Sequence, residues 1–431
     1  MEENSKRIPE LDGIRGLAIA MVVVYHDLFI PTAFPASSVG SYLRALARLS
    51  WTGVDLFFVL SGFLIGGILL DSREAPNYFR VFYTRRFFRI IPLYAALLAC
   101  VYIFVEVATP KAIDTYGWGL FDRHSFLPYL FFLQNFSMAA SNYITFMGVT
   151  WSLAVEEQFY LVMPFLIRVF SKRRLLWLIA AGICAAPVTR VMASRLWLGH
   201  PLASYLLTPC RMDALLFGVV GAYLVRQDTW RTSLERRPNA LKCALAVLLA
   251  GMAIFTKYGN IVFFQHLMVS IGFTWIAAFY LCGLLYAVTQ PASWLSTCLR
   301  WKPLRWLGAI AYGVYLVHGY ALNFVYGVLY SHPLYVISRP AELIAPVLAM
   351  VGTLVLCRLS WLYFEKPMIQ LGREVQFRSA PALISGFRLN DQLISVGFQP
   401  AQPSRTYVRP LVRIIPNRAV RIDGGGASST L

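Results

Sequence analysis

The chain has 431 residues, 58% of them hydrophobic and 15% aromatic, with only 14% charged and a formal net charge of +18. Soluble domains carry about 25% charged residues, so repeated apolar runs of roughly 18 residues or more mark membrane spans and exclude a soluble globular enzyme. In a soluble protein the positive charge would suggest nucleic acid, but here it gathers on alternate loops between apolar runs, the signature of membrane topology.

The polar, acidic start MEENSKRIPELDG leads into an apolar run with no A-x-A-like cleavage site, which reads as a retained span and not a signal peptide. Ten spans are expected, near 14–34, 51–70, 88–108, 149–170, 174–196, 203–225, 240–257, 267–288, 304–328 and 342–364. The fold class is therefore all-α and polytopic. The apolar piece FLPYLFFLQNF at 126–136 is too short to cross and reads as interfacial or re-entrant.

With a cytoplasmic N-terminus, the inner loops collect Arg73, Arg80, Arg85, Arg86 and Arg89, then Lys172, Arg173 and Arg174, then Arg226, Arg231, Arg236 and Arg237, then Arg300, Lys302 and Arg305. The outer loops hold scattered basic residues such as Arg44, Arg48, Lys111 and Arg123. That alternation predicts both termini in the cytoplasm. After Pro367 the composition turns Arg-, Pro- and Gly-bearing without periodicity, which predicts a membrane domain over 1–370 and a mostly disordered cytoplasmic tail over 371–431. The seven cysteines are scattered and form no C-x-x-C pair, so they read as small buried hydrophobes, with no disulfide framework and no thiolate metal site.

Ionisable residues inside spans are expensive and point to function. In RGLAIAMVVVYH, Arg15 and His26 are eleven positions apart. At α-helical pitch they share nearly one face, roughly 16 Å apart along the axis. The second span carries Asp55 near its outer end, and Gly62 and Gly66 form a small-xxx-small pattern that predicts a close helix contact. In YTRRFFRIIPLY, Arg86 and Arg89 stand at i, i+3, a spacing that suits clamping a phosphate. TWSLAVEEQFYLVMPF carries Glu156 and Glu157, of which at least one must point into the bundle. In TPCRMDALLFG, Arg211 and Asp213 at i, i+2 do not face each other, so each needs a partner elsewhere. His318 lies near the middle of the ninth span, and YFEKP, with Glu365 and Pro367, reads as a helix stop. There is no G-x-x-x-x-G-K-[ST], no H-E-x-x-H and no G-x-S-x-G, so nothing points to an ATPase, a zincin or a serine hydrolase.

Taken together, LDGIRGLAIAMVVVYH, GVDLFFVLSGFLI, RRFFRIIPLY, TWSLAVEEQFYLVMPF, RMDALLFG, YGVYLVH and FEKP resemble, in order, the motifs of the membrane-bound acyltransferase-3 family of glycan and small-molecule O-acyltransferases. The resemblance covers roughly Ile8 to Pro367. It implies ten or so helices around a central cavity in the cytoplasmic membrane. Acyl-CoA, acetyl-CoA first of all, would be the co-substrate, with no bound cofactor, no metal and no nucleic-acid partner. A hydroxyl of a saccharide or glycolipid of the cell envelope, such as lipopolysaccharide, would be the acceptor.

Carried over residue by residue, the arginine-x10-histidine motif falls on Arg15 and His26 and the R-x-x-R motif on Arg86 and Arg89. The span-four glutamate falls on Glu156, with Glu157 as the alternative, and the aspartate of GVDLFF on Asp55. Arg211, Asp213 and His318 match recurring positions and are expected in an acceptor or structural polar network. The implied roles are donor phosphate binding by Arg15, Arg86 and Arg89, and general base or transient acyl carrier for His26. Asp55 or Glu156 would assist. Larger members append an SGNH esterase-like domain, for which the tail here is far too short. The rival reading is a secondary transporter using the same intramembrane His, Asp, Glu and Arg; an R-x-x-R pair at the membrane surface argues against it.

Overall fold

A computed structural model describes residues 8–30, 49–109, 111–112, 126–144, 147–196, 201–258, 266–331, 337 and 339–378. Arg44, Arg48, Arg123 and the expected tail beyond 378 lie outside the described residues. The chain is all-α. Helix α1 spans Pro9–Val23, α2 Gly53–Asp71, α3 Tyr78–Val107, α4 Leu127–Leu130, α5 Gln134–Ser141, α6 Trp151–Val169, α7 Lys172–Leu196 and α8 Ala203–Leu206. They are followed by α9 Thr208–Leu224, α10 Asp228–Arg236, α11 Pro238–Tyr258, α12 Phe273–Thr289, α13 Trp294–Leu299, α14 Lys302–Tyr330, α15 Ile344–Ser360 and α16 Lys366–Glu374. Three π-helical turns, Val24–Phe29, Met268–Gly272 and Trp361–Glu365, join or extend them.

Among the described residues, seven helical stretches are long and apolar enough to cross a membrane: Ser50–Asp71, Tyr78–Val107, Lys172–Leu196, Ala203–Leu224, Pro238–Phe255, Met268–Thr289 and Ala341–Glu374. The other three expected spans are also helical, as α1, α6 and α14, but they carry polar residues such as Arg15, Glu156 and His318 among their apolar ones. The outer faces are greasy in a way no soluble protein tolerates. Leu161, Val162 and Phe165 on α6, and Val347, Val351 and Val355 on α15, are all more than half exposed.

Close helix contact organises the centre. α2 and α9 pack along most of their length. A Cβ on Gly62 would stand 1.9 Å from the Leu215 carbonyl oxygen, and one on Gly218 2.2 Å from that of Val59. Only glycine allows such an approach, and with Gly66 against Val219 this is the contact the small-xxx-small pattern predicts. α1 and α14 cross as tightly: a Cβ on Gly16 would meet the Leu304 carbonyl oxygen at 2.0 Å, and one on Gly308 that of Asp12 at 2.0 Å. The first turn of α2 abuts α1 at Ala18, Met21 and Val22.

Three local features refine or depart from the sequence-based expectations. The short 126–136 segment is two helices, α4 and α5, turned by Phe132 at φ 55° and tied down by buried amides. Gln134 donates to the Thr150 carbonyl at 2.9 Å and Asn135 to that of Leu206 at 3.2 Å. Glu365-Lys366-Pro367 does not stop the helix. The π-helical turn Trp361–Glu365 leads directly into α16, where Pro367 sits in the first turn and its missing N–H is no loss. Finally, α16 packs on α3, so the expected boundary at 370 falls inside a helix, and the following residues lie along α3. Arg85 donates to the Val375 carbonyl at 3.0 Å and Asn77 to that of Gln376 at 2.9 Å. All seven cysteines are free; Cys210, Cys282 and Cys357 are buried, whereas Cys100, Cys184, Cys243 and Cys298 are exposed on outer helix faces.

Candidate functional site

A cavity of about 230 Å³ opens between α1, α2, α3, α6 and α14. Its polar lining is Arg15, Ser61, Arg86, Arg89, Ser152, Glu156, Tyr160, Tyr312 and Tyr315, and its remaining wall is mostly Leu, Ile and Phe. Three arginines from two helices thus meet one glutamate in an otherwise apolar chamber. The helical spacing of Arg86 and Arg89 turns both toward it. Neither has an ion-pair partner among the described residues; Arg86 lies over the Tyr160 ring, 5.7 Å from its centroid. Arg15 reaches back to Asp12 at 3.3 Å. Tyr160 donates to Glu156 at 2.9 Å and shares a hydrogen bond with Ser61, so the carboxylate is held in a defined orientation. Glu157 does not line this cavity, and its Oε1 is buried without a hydrogen-bond partner.

At one end of the cavity the Tyr315 hydroxyl shares a 2.5 Å hydrogen bond with Ser152 and donates to the Val149 carbonyl. One turn further along α14 is His318, whose ring centroid is 6.3 Å from that of Tyr315 and 5.2 Å from that of His26. Arg15, Arg86, Arg89 and Glu156 therefore share one chamber, and the two histidines form a pair beyond it. His26 is outside the lining, and the backbone that carries it changes character. α1 is α-helical only to Val23; the backbone then widens into the π-helical turn Val24–Phe29, closed by the Ile30 N–H to the Tyr25 carbonyl at 3.0 Å. The wider turn adds slack to the backbone at His26. π-helical turns of this kind cluster at functional sites.

The hydrogen bonds fix the histidine tautomers. His26 Nδ1 is 2.8 Å from the Val22 carbonyl, and His318 Nδ1 is 3.1 Å from that of Val314 and 2.9 Å from that of Tyr315. A carbonyl only accepts, so each Nδ1 carries the hydrogen and each neutral ring presents its lone pair on Nε2.

Asp55, expected to assist the chemistry, is paired with Arg211. Its Oδ1 accepts from Arg211 at 2.6 Å, with both side chains 1% exposed. The Arg211 guanidinium lies 4.2 Å from the Phe273 ring centroid and 5.1 Å from that of Tyr205. Asp213 pairs with Arg190 at 2.9 Å and accepts from Thr274 at 2.6 Å. Arg190 also donates to the carbonyls of Val269 and Cys210. Arg211 and Asp213 thus find separate partners, as their spacing requires. The sequence reading passed over Arg190 although it interrupts an apolar run, the criterion that singled out the other charges. It also passed over Ser152, Tyr160 and Tyr315, because a search for ionisable residues does not register hydroxyls. Asp27, next to His26, is only 2% exposed, and neither of its carboxyl oxygens has a hydrogen-bond partner.

Among the described residues no group of His, Cys, Asp and Glu is arranged to hold a metal ion.

A family model described as an acyltransferase domain, that of the acyltransferase-3 family, matches residues 8–362. The chain is 28% identical over 384 residues to the peptidoglycan O-acetyltransferase OatA of Listeria monocytogenes, a match covering 85% of this chain and 56% of the relative. It is 30% identical over 397 residues to YrhL of Bacillus subtilis, named a putative peptidoglycan O-acetyltransferase, covering 85% and 55%. To the O-acetyltransferase OatA of Staphylococcus aureus it is 24% identical, covering 85% and 58%. The match thus spans little more than half the length of these curated relatives. No solved structure matches the chain.

Proposed function

Since the chain belongs to the acyltransferase-3 family, we propose that it is a membrane O-acetyltransferase that takes acetyl from cytoplasmic acetyl-CoA. The acceptor is a hydroxyl of an envelope saccharide. The curated relatives named for peptidoglycan favour a peptidoglycan sugar over the lipopolysaccharide considered from sequence. The observation that carries this reading is the convergence of Arg15, Arg86 and Arg89 on one apolar-walled cavity. Guanidiniums recognise phosphate oxygens in bidentate fashion, and CoA is a phosphate-bearing head on a long pantetheine arm. At about 230 Å³ the cavity is smaller than the roughly 300–1,000 Å³ of drug-sized ligand pockets. It suits the diphosphate and arm while the adenosine end stays at the mouth. The membrane is the cytoplasmic one, with both termini and the arginine mouth on the cytoplasmic side, as the distribution of basic loops indicates.

The arm leads the thioester past Tyr315 toward the histidine pair. His26 Nε2, with its lone pair available, is the general base on the acceptor hydroxyl or the atom that receives the acetyl group. Glu156, fixed by Tyr160, supplies negative charge at the chamber wall and orients the incoming amide-rich arm. Asp55, closed against Arg211, acts in holding the bundle and not as a partner of His26. The transporter reading gains no support: four of the charges it would use, Asp55, Arg190, Arg211 and Asp213, are held in two buried pairs, and the family match is to an acyltransferase domain.

The test supplies acetyl-labelled acetyl-CoA to membranes containing the wild type or His26→Ala. Label entering the peptidoglycan-precursor fraction with wild type, and falling about 10²–10⁴-fold in the variant, is the expected result. Equal CoA release by wild type, variant and empty membranes would overturn it.

A further inference from the structure

His318 has no assigned part in the reading above, yet its setting is not that of a core histidine. It is fully buried, its Nδ1–H is spent on two carbonyls of its own helix, and its Nε2 is buried with no hydrogen-bond partner. Leaving a buried acceptor unsatisfied costs about 1–3 kcal/mol, and such groups in native proteins call for an explanation. His26 is arranged in the same way on α1, its Nδ1 turned back to the Val22 carbonyl. In each ring Nε2 lies across from the nitrogen bonded to the helix carbonyls, so neither lone pair is used by its own helix, and the two rings approach to 5.2 Å. α1 and α14 hold the pair closely, because they cross in backbone contact at Gly16 and Gly308.

Two imidazoles in the same tautomer, each with an available lone pair, have no use for each other as hydrogen-bond partners. They suit a reaction that needs two basic nitrogens in turn. We infer that His26 and His318 divide the acetyl transfer, His26 Nε2 carrying the acetyl group and His318 Nε2 acting as the general base that activates the acceptor hydroxyl. This rests on the acyl-CoA reading above and assigns the second half of its chemistry.

In the first step the His26 Nε2 lone pair forms a bond to the thioester carbonyl carbon and the C–S bond breaks. The CoA thiolate leaves with that electron pair. The resulting acetylimidazolium keeps its Nδ1–H, whose positive charge is stabilised by the Val22 carbonyl. In the second step His318 Nε2 takes the proton of the acceptor hydroxyl while that oxygen forms a bond to the acetyl carbon. The C–N bond breaks and its electron pair returns to His26. The proton on His318 then passes through solvent to the thiolate, giving free CoA and restoring both neutral rings. His318 follows Tyr315 by one turn of α14, with ring centroids 6.3 Å apart, so both histidines stand near the Tyr315 end of the chamber.

The two steps separate experimentally. Full-length protein in membranes is mixed with acetyl-CoA by rapid quench, and CoA release is followed without acceptor and with a disaccharide peptide cut from peptidoglycan as the probe. His318→Asn is the first variant, because its side-chain amide can still donate to the α14 carbonyls while the distal base is deleted. His318→Gln, closer in length to histidine, is the second. Size-exclusion profiles of the solubilised proteins check folding. The expected result is a burst of one CoA per chain within twofold of wild type in both variants, with acceptor-stimulated turnover lowered about 10²–10⁴-fold. Unchanged turnover overturns the inference. So does loss of burst and turnover together, which would make His318 a positioning residue for His26. Transfer without a burst in wild type overturns the two-step division and leaves the acetyltransferase reading standing. No CoA release by wild type above empty membranes removes that reading and this inference with it.

Discussion

The molecule buries arginine in two ways, and the contrast separates architecture from chemistry. Between α2, α7, α9 and α12, Arg190 and Arg211 are each closed against an aspartate, with backbone carbonyls, hydroxyls or aromatic rings around the guanidinium. In the chamber of α1, α3 and α6, Arg86 and Arg89 face apolar wall and a single glutamate, without an ion-pair partner among the described residues. The first arrangement balances its charges within the protein, although Arg211 Nε and Nη1 and Asp55 Oδ2 keep no hydrogen-bond partner. The second is complete only with an anion inside it. Residue type alone would have ranked the four arginines together; what surrounds each guanidinium tells them apart.

The largest expected effect comes from forcing a helix crossing apart. Gly218→Leu, whose Cβ alone would stand 2.2 Å from the Val59 carbonyl oxygen, prevents α2 and α9 from meeting, and no folded protein is expected in size-exclusion chromatography of solubilised membranes. Next is Arg190→Ala, which leaves Asp213 buried and uncompensated and lowers stability by about 3–5 kcal/mol in thermal melts. Pairing it with Asp213→Leu should recover a large part of that loss, because removing both charges also removes their desolvation. In the chamber the order of effects reverses. Arg86→Ala should leave the melting temperature nearly unchanged while raising KM for acetyl-CoA about 10–100-fold, as expected when a charged hydrogen bond of about 1.5–3 kcal/mol is lost. Arg86→Lys should recover only part of this, since an ammonium cannot grip phosphate bidentately. The smallest effect is Tyr160→Phe, which removes the donor to Glu156 and should slow turnover by about 3–10-fold, the value of an ordinary hydrogen bond. A chamber variant that unfolds the protein, or an Arg190 variant that changes only KM, would erase the distinction.

How much of this was legible in the sequence follows the same line. Gly62 and Gly66 announced the α2–α9 contact because small-xxx-small spacing has one dominant cause in membranes. The chamber residues were legible through motif order and i, i+3 spacing, which are local properties. The need of Arg211 and Asp213 for outside partners was legible from their separation by two, but the partners were not. Asp55 and Arg190 come from other helices, and tertiary pairing leaves no trace in local periodicity. The π-helical turn at His26 was equally hidden. It widens the backbone at the histidine without any special residue to announce it. The helix stop expected at FEKP failed for a related reason. Proline ends a helix only when it must supply an interior hydrogen bond, and Pro367 stands in the first turn of a new one.

The crossing of α1 and α14 also fixes what can move. Backbones that touch at Gly16 and Gly308 cannot slide or part without a clash or a void, so these two helices, and the histidines they carry, behave as one stiff member. The opposite wall of the chamber is built differently. α3 is much less buried than α2 and is gripped near its arginine-bearing end by α16 and the residues that follow. Mechanically α1 and α14 form a fixed jamb that carries both histidines, and the R-x-x-R pair sits across the chamber on α3.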